Sequence, residues 1–302
     1  MNKYDITFLT DHRYVNPDKV NTYVQDILDD DDLIIQALAD RGLSVIRVDW
    51  ADPDYDWSKA KIAIFRTTWD YFERFEEFMK WFNKVKNIVH FINPIELIIW
   101  NLDKHYLQDL SNKGVNITDT KFVESGEQIT LSKLFHDAGW TDAILKPAVS
   151  GSARHTYRLS ENNLADHEEI FQRLIAKESM LLQPFQNSVL KRGEVALMYF
   201  DGNYSHAILK VTQPGDFRVQ SEFGGMVHNY TPTAEEVILG EKTIQACSPI
   251  PTYARVDIIE DNFGIAAVME LEIIEPELWF RYYPAAANAM ANAIVKHITG
   301  LP

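Results

Sequence analysis

Three carboxylates fall where a metal ion could use them. Residues 253–260 and 265–272 alternate polar and apolar side chains on either side of Asp261, Asn262, Phe263 and Gly264. Asn and Gly take positive φ readily, so the spacing predicts a tight hairpin. Pairing outward from that turn sets Asp257 roughly opposite Glu270, and Glu272, two residues on, points the same way. Val256, Ile258, Met269, Leu271 and Ile273 alternate with them, which leaves one face for a core and one for negative charge. Oxygen-only ligation suits a hard divalent cation, Mg²⁺ (or Mn²⁺), held by one or two carboxylates together with substrate phosphates. A solvated face of an antiparallel hairpin has the same alternation, so the hairpin alone leaves both readings open.

Two lysines upstream shift the balance. Lys146 ends a short apolar strand and is followed by Val149, Ser150, Gly151, Ser152 and Ala153. Such a run offers closely spaced backbone N–H groups without bulky side chains, the chemistry of a loop that covers phosphates. No G-x-x-x-x-G-K-[ST] and no G-x-G-x-x-G occurs, so neither a P-loop nor a dinucleotide fingerprint is supported. Lys104 lies near the start of a predicted helix after Asn93 and Pro94. Alone it reads as a surface charge.

Taken in order, Asn93-Pro94, Asp103-Lys104, Leu145-Lys146-Pro147 with its Ser/Gly loop, Leu182-Gln183-Pro184-Phe185, Gly193-Glu194, Asp216 to Arg218 with Gly224-Gly225, and Arg255 to Asp257 followed by Glu270-Leu271-Glu272 form a series. This series resembles the ATP-grasp superfamily, which includes glutathione synthetase, D-alanine:D-alanine ligase and the ligases that add glutamate to ribosomal protein tails. The match runs from Asn93 to the C-terminus. Each motif is weak singly; seven in family order are not.

The resemblance implies roles. Lys104 and Lys146 look like the lysines on the ATP phosphates, and Ser150, Gly151 and Ser152 like the loop that closes over them. Gln183 and Phe185 look like the hinge that reads adenine, with Gln183 able to accept from the exocyclic amine, and Glu194 looks like the acid on the ribose hydroxyls. Asp257, Glu270 and Glu272 match the metal set, although the family usually has Glu-x-Asn where this chain has Glu270-Leu271-Glu272. Arg218 and Arg255 resemble the arginines that face the transferred phosphoryl group and the acyl phosphate, with Lys210 assisting. Gly224 and Gly225 fall with the substrate-side residues.

Composition narrows the partners. A net charge of −15 over 302 residues, with the acidic run at Asp29, Asp30, Asp31 and Asp32, excludes a nucleic-acid binder, which needs clustered Lys and Arg. That run reads as the N-terminal end of a helix, where acids favour the macrodipole. One cysteine, Cys247, rules out an intramolecular disulfide framework and fits a reducing cytoplasm. No stretch approaches about 18 apolar residues, so no membrane span or membrane partner is expected. His12, His105, His155, His206 and His228 are scattered without zinc-ligand spacing, and His228 alone lies close to a substrate-side motif. No feature selects an oligomeric state.

The elements that must position these residues read as an α/β fold of ATP-grasp architecture with α+β lobes. Residues 1–93 form an N-terminal lobe with a parallel sheet, with strands predicted at 6–10, 44–50 and 62–66 and a helix at 31–41. Residues 94–180 form a central lobe with a helix at 102–112, a strand at 116–123, a helix at 131–138 and the Lys146 strand. Residues 181–302 form a C-terminal lobe with an antiparallel sheet, including a hairpin around Asp201-Gly202 and a last helix at 285–298. In parallel sheets ligands sit beyond the strand C-termini. There Arg66, Trp69, Asp70 and Tyr71 could seat a small carboxylate or amino acid, unless the aromatics pack the lobe boundary and Asp70 caps a helix from Phe72 onward.

The sum is an ATP-dependent carboxylate–amine ligase of glutathione synthetase-like type, working through an acyl phosphate and releasing ADP and phosphate. Such chemistry needs positioning and charge neutralisation more than acid–base groups. Within the superfamily, the Arg66–Tyr71 element and the Glu-Leu-Glu motif also look like the ring-closing enzyme of cycloserine biosynthesis, so intramolecular cyclisation is the in-family alternative. A nucleotide-binding protein without turnover is the alternative from another class.

Overall fold

The computed structural model describes residues 4–220 and 223–301. Its first lobe contains β1 (Ile6–Thr10), α1 (His12–Val15), α2 (Thr22–Ala39), β2 (Val45–Asp49), β3 (Ile62–Thr67), α3 (Phe75–Val85) and β4 (His90–Ile92). The strands pair in the order β2-β1-β3-β4, all parallel. Every residue of β1 and β3 is buried, as expected where helices cover both faces of a parallel sheet.

α2 is longer than the predicted 31–41 helix. Asn21 caps it by accepting from Val24 N at 2.9 Å, eight residues before the acidic run. Asp29 to Asp32 therefore lie mid-helix, not at its N-terminus. The two buried acids of the run are met by arginines: Asp30 accepts from Arg281 Nη1 at 2.6 Å, and Asp31 from Arg66 Nε at 2.9 Å, with Arg47 3.1 Å away.

The second lobe contains α4 (Ile95–Asn101), α5 (Tyr106–Asn112), β5 (Lys121–Val123), α6 (Leu131–Ala138), β6 (Asp142–Pro147), β7 (Tyr157–Ser160), α7 (Leu164–Ile175) and β8 (Met180–Pro184). Its antiparallel sheet runs β5-β8-β6-β7 and has a core of its own around Phe135, Leu145, Phe171 and Leu182. β8 carries this sheet to Pro184, past the expected boundary at 180. Two further expectations change. The helix predicted at 102–112 is broken before Tyr106, because Lys104 N donates to Ala148 O at 2.9 Å and Asp103 accepts from His105 N. The strand predicted at 116–123 shrinks to Lys121–Val123, preceded by a single bridge from Ile117 to Val268.

The third lobe contains α8 (Ser188–Lys191), β9 (Glu194–Phe200), β10 (Asn203–Val211), β11 (Met226–Tyr230), α9 (Ala234–Ala246), β12 (Tyr253–Glu260), β13 (Ala266–Glu272) and α10 (Ala285–Thr299). Its antiparallel sheet runs β11-β10-β9-β12-β13. α9 starts with a reciprocal cap between Thr233 and Glu236 and covers one face; Gly240 allows that approach, since a Cβ there would sit 2.2 Å from the Tyr199 hydroxyl. α10 covers the other face and packs against α2 of the first lobe. Asn93 ties the lobes together by donating to Tyr253 O at 2.8 Å and Ile273 O at 2.7 Å. Among the described residues no helix is long and apolar enough to cross a membrane.

Candidate active site

The β12–β13 hairpin forms as the alternation requires. Asp257 pairs with Glu270 and Arg255 with Glu272 across the ladder, with a bulge just after Asp257, and Gly264 takes a positive φ of 80° in the turn. Carboxylate oxygens of Asp257, Glu270 and Glu272 all lie within 4.8 Å of one another. Together with side chains from all three lobes they line one cleft.

Each of the three is held by cations of the chain. Arg255 forks onto Asp257 with two bonds of 2.9 Å and also bonds Glu272. Lys210 lies 2.8 Å from Asp257 and pairs with Glu194, while Lys104 is 3.0 Å from Glu270 and donates to Ser150 O at 2.6 Å. Burial pushes Asp257 upward, but Arg255 and Lys210 outweigh it and hold the carboxyl at about 2. Burial likewise opposes ionisation of Glu270, and Lys104 with Lys146 brings it below the usual range. At Glu272 burial wins, helped by the charges of Glu270 and Asp257, and the carboxyl rises well above its usual value despite Arg255. An all-oxygen set of this density fits a hard divalent cation.

The rest of the cleft divides in two. On one side Ile144, Pro184, Phe185, Val189, Met269 and Leu271 form an apolar slot. Gln183 on β8 donates to Thr120 Oγ1 at 2.9 Å, while its Oε1 is buried without a hydrogen-bond partner. A buried acceptor left unpaired costs about 1–3 kcal/mol, which an amine of a ligand in the slot would offset. Phe185 is buried beneath the Arg158 guanidinium, 3.6 Å away. Glu194 stands beside the slot, its carboxyl raised by burial against the pull of Lys210. Lys146 faces the cleft with no carboxylate at ion-pair distance among the described residues, and burial, reinforced by Lys104, lowers its amine to about 8. Ser150, Gly151 and Ser152 line the same cleft as the two lysines, with Ser150 O accepting from Lys104; Ser152, Ala153 and His155 have φ of 45°, 53° and 48°, and Arg154 anchors the loop to Glu178 with bonds of 2.8 and 2.7 Å.

The opposite side is aromatic and belongs to the first lobe: Tyr23, Trp69, Tyr71 and Phe72. Gly151 sits directly on the Phe72 ring, where a Cβ would approach to 2.5 Å. Glu275 and Glu277 complete this end. Burial raises the Glu275 carboxyl to about 7, moderated by its hydrogen bond to Tyr71.

Several predicted residues lie elsewhere. Arg66 is not on the cleft wall: it is 4% exposed, its guanidinium bonds Asp31, and it packs over Phe280, because residue 31 of α2 lies beneath the end of β3. Asp70 is buried as an acceptor for Trp50 Nε1 and Arg74 Nη1, both at 2.7 Å, and lines only a shallow second recess. Nor does it cap a helix from Phe72, since α3 begins at Phe75 with Arg74 before it. Gly224 and Gly225 are packed against the loop ahead of them; a Cβ on Gly225 would lie 2.0 Å from Val219 O. They let that loop present Phe217, Arg218 and Val219 to the cleft, with Arg218 gripped by Asp216 at 2.6 Å. Tyr23, Phe72, Glu275 and Trp279 are wall residues that no motif marked. The only sequence signal was the run Glu275-Pro276-Glu277, which begins three residues after the end of β13.

Comparison with known proteins agrees with this geometry. A family model described as D-cycloserine synthetase DcsG, N-terminal domain, matches residues 6–93. The cycloserine biosynthesis protein DcsG of Streptomyces lavendulae is 28% identical over 285 residues, spanning 88% of this chain and 92% of that protein. The crystal structure of D-cycloserine synthetase DcsG superposes with a TM-score of 0.86 at 25% identity, covering 97% of this chain and 99% of that one. D-alanine–D-alanine ligase from Bacillus anthracis shares the fold at a TM-score of 0.63 and 14% identity over 97% of this chain and 96% of its own. The ligase PsnB, solved with a minimal precursor, Mg and ADP, shares it at 0.60 and 14%, over 97% of this chain and 98% of its own. By fold, by the order of its motifs and by these likenesses along its length, the chain is an enzyme of the ATP-grasp ligase superfamily.

Proposed function

We propose that the enzyme joins a carboxylate to an amine in an ATP-dependent reaction that passes through an acyl phosphate. The observation that carries this reading is the facing of three close carboxylates by Lys104 and Lys146 beneath a small-residue loop, beside a slot with an orphaned amide oxygen. The slot and Gln183 would hold the adenine, Glu194 the ribose, the two lysines and residues 150–152 the phosphates, and Asp257, Glu270 and Glu272 Mg²⁺ or Mn²⁺. Bound there, metal–ATP supplies the phosphoryl group that activates the substrate carboxylate, leaving ADP, after which an amine forms the C–N bond as phosphate departs.

The chain's own groups do positioning work. Among the described residues the cleft wall holds no cysteine and no histidine, and burial pushes the lone Cys247 thiol up to about 12. Arg255, fixed by Asp257, Glu272 and the Trp279 ring 5.0 Å away, keeps the carboxylate set in register. Arg218 reaches the same cleft from the opposite sheet edge and places a second cation where negative charge would collect. Intramolecular ring closure is the second reading, favoured by the match of the DcsG N-terminal family to residues 6–93, the segment that builds the aromatic wall.

Incubation with Mg–ATP, a panel of small carboxylic and amino acids and hydroxylamine tests the reading. ADP should appear together with the hydroxamate of the accepted acid. Release of AMP and pyrophosphate would instead indicate an adenylate and overturn it.

A further inference from the structure

The cleft carboxylates are not equivalent. Asp257 has Arg255 and Lys210, Glu270 has Lys104, Glu272 has Arg255, Glu194 has Lys210, and Glu277 has Arg281 at 2.8 Å. Glu275 has no basic side chain at ion-pair distance among the described residues; its side-chain partner is the buried Tyr71 hydroxyl. Its position is nonetheless fixed. Trp69 Nε1 donates to the Glu275 carbonyl at 3.0 Å, and Tyr253 donates to the preceding carbonyl, Ile274 O, at 2.9 Å. A carboxyl brought into a cleft without an ion-pair partner gives up charge by holding its proton, and a ligand that brings a cation to ion-pair distance restores the charged form and gains a contact that no side chain supplies.

The surroundings select the kind of cation. The metal triad closes within 4.8 Å without Glu275, so a divalent ion has a better seat three residues away. Around Glu275 the wall is aromatic: the Trp69 ring lies 6.4 Å from that of Tyr23, and both rings line the cleft. Aromatic faces attract an organic ammonium and offer little to a hydrated Mg²⁺. We propose that Glu275, held by Tyr71 beside the rings of Trp69 and Tyr23, seats a primary ammonium on the organic substrate, which is therefore an amino acid and not a plain carboxylic acid. This deepens the ligase reading and rests on it.

The test uses the full-length enzyme with saturating Mg–ATP and measures ADP release with D- and L-α-amino acids and with the α-hydroxy acids of the same side chains. Amino acids should stimulate release and hydroxy acids should not. Glu275→Gln should raise the KM of the stimulating amino acid roughly tenfold or more while the calorimetric affinity for Mg–ATP stays unchanged. Tyr71→Phe should move KM in the same direction by less, and stands in if the Gln variant does not fold. Equal stimulation by hydroxy acids, an unmoved KM, or a changed Mg²⁺ requirement in place of a changed KM would overturn the proposal. So would silence of the whole panel in an enzyme that binds Mg–ATP. Failure to bind Mg–ATP at all would instead remove the ligase reading beneath it.

Discussion

Two arginines, Arg66 and Arg255, sit on strands of different sheets, and each is tied to an aspartate by a bond of 2.9 Å. Arg66 and its partner Asp31 are sealed between β3 and α2, away from the cleft. Arg255 and Asp257 share one strand, line the cleft, and are joined there by Glu272 and Lys210. The same pairing thus serves a scaffold in one lobe and an assembled charge network in the other. What separates them is where the remaining lone pairs and N–H groups point, and that is a property of packing.

The largest effect expected from this contrast is on stability. Arg66→Ala strands Asp31 as a buried charge with only Arg47 nearby, and breaking such a pair typically removes about 3–5 kcal/mol. Urea denaturation should show that loss, with the substrate KM unchanged in the protein that remains folded. A raised KM at unaltered stability would return Arg66 to the substrate.

Next in size is the proposed metal triad. Glu270→Gln removes the charge of a proposed ligand and the partner of Lys104, and should lower ADP formation on the order of 100-fold or more with the circular dichroism intact. Glu272→Asn, which restores the usual family residue, should retain much more activity. Comparable rates for Glu270→Gln and the parent enzyme would dismiss the triad as a metal site.

The smallest expected change is at Lys146. Lys146→Ala should weaken ATP roughly tenfold, and AMP much less, by loss of a charge-assisted phosphate contact. A pH dependence follows from its burial. The amine is lowered to about 8, so the protein without nucleotide loses this charge as pH rises through that value. ATP affinity measured by calorimetry should therefore fall between pH 7 and 9 in the parent enzyme and not in Lys146→Arg, which keeps its charge. Equal slopes for the two would place the titration elsewhere.

The contrast also marks what the sequence discloses. The β12–β13 hairpin was legible to the register of Asp257 against Glu270, because alternation and the Asn262–Gly264 turn leave one solution that keeps the apolar face inward. α6 was legible at both ends, from Thr130 to the left-handed Gly139. Arg66 was misplaced because nothing local shows that residue 31 lies beneath residue 66, and the same blindness turned the acidic run into a helix start. Lys104 lies in a helix break made by a backbone bond to Ala148, a contact across 44 positions that no periodicity carries. Glu275 was overlooked for a related reason: its distinction is the lack, among the described residues, of a basic side chain at ion-pair distance, visible only once every other charge has been located.

The junction of α2 with α10 bears on how the polypeptide is made. The core that holds Phe8, Ile34 and Ile64 also contains Phe280, Met290 and Ile294, and Arg281 reaches back to Asp30. A ribosome that has just released residues 1–93 has produced a sheet whose outer helix still lacks its covering partner. That lobe waits for α10, which is made only after the two other sheets, while the middle sheet, with a core of its own, has no such wait. Loss of α10 would therefore be felt first in the sheet of β1 to β4, far from it in sequence.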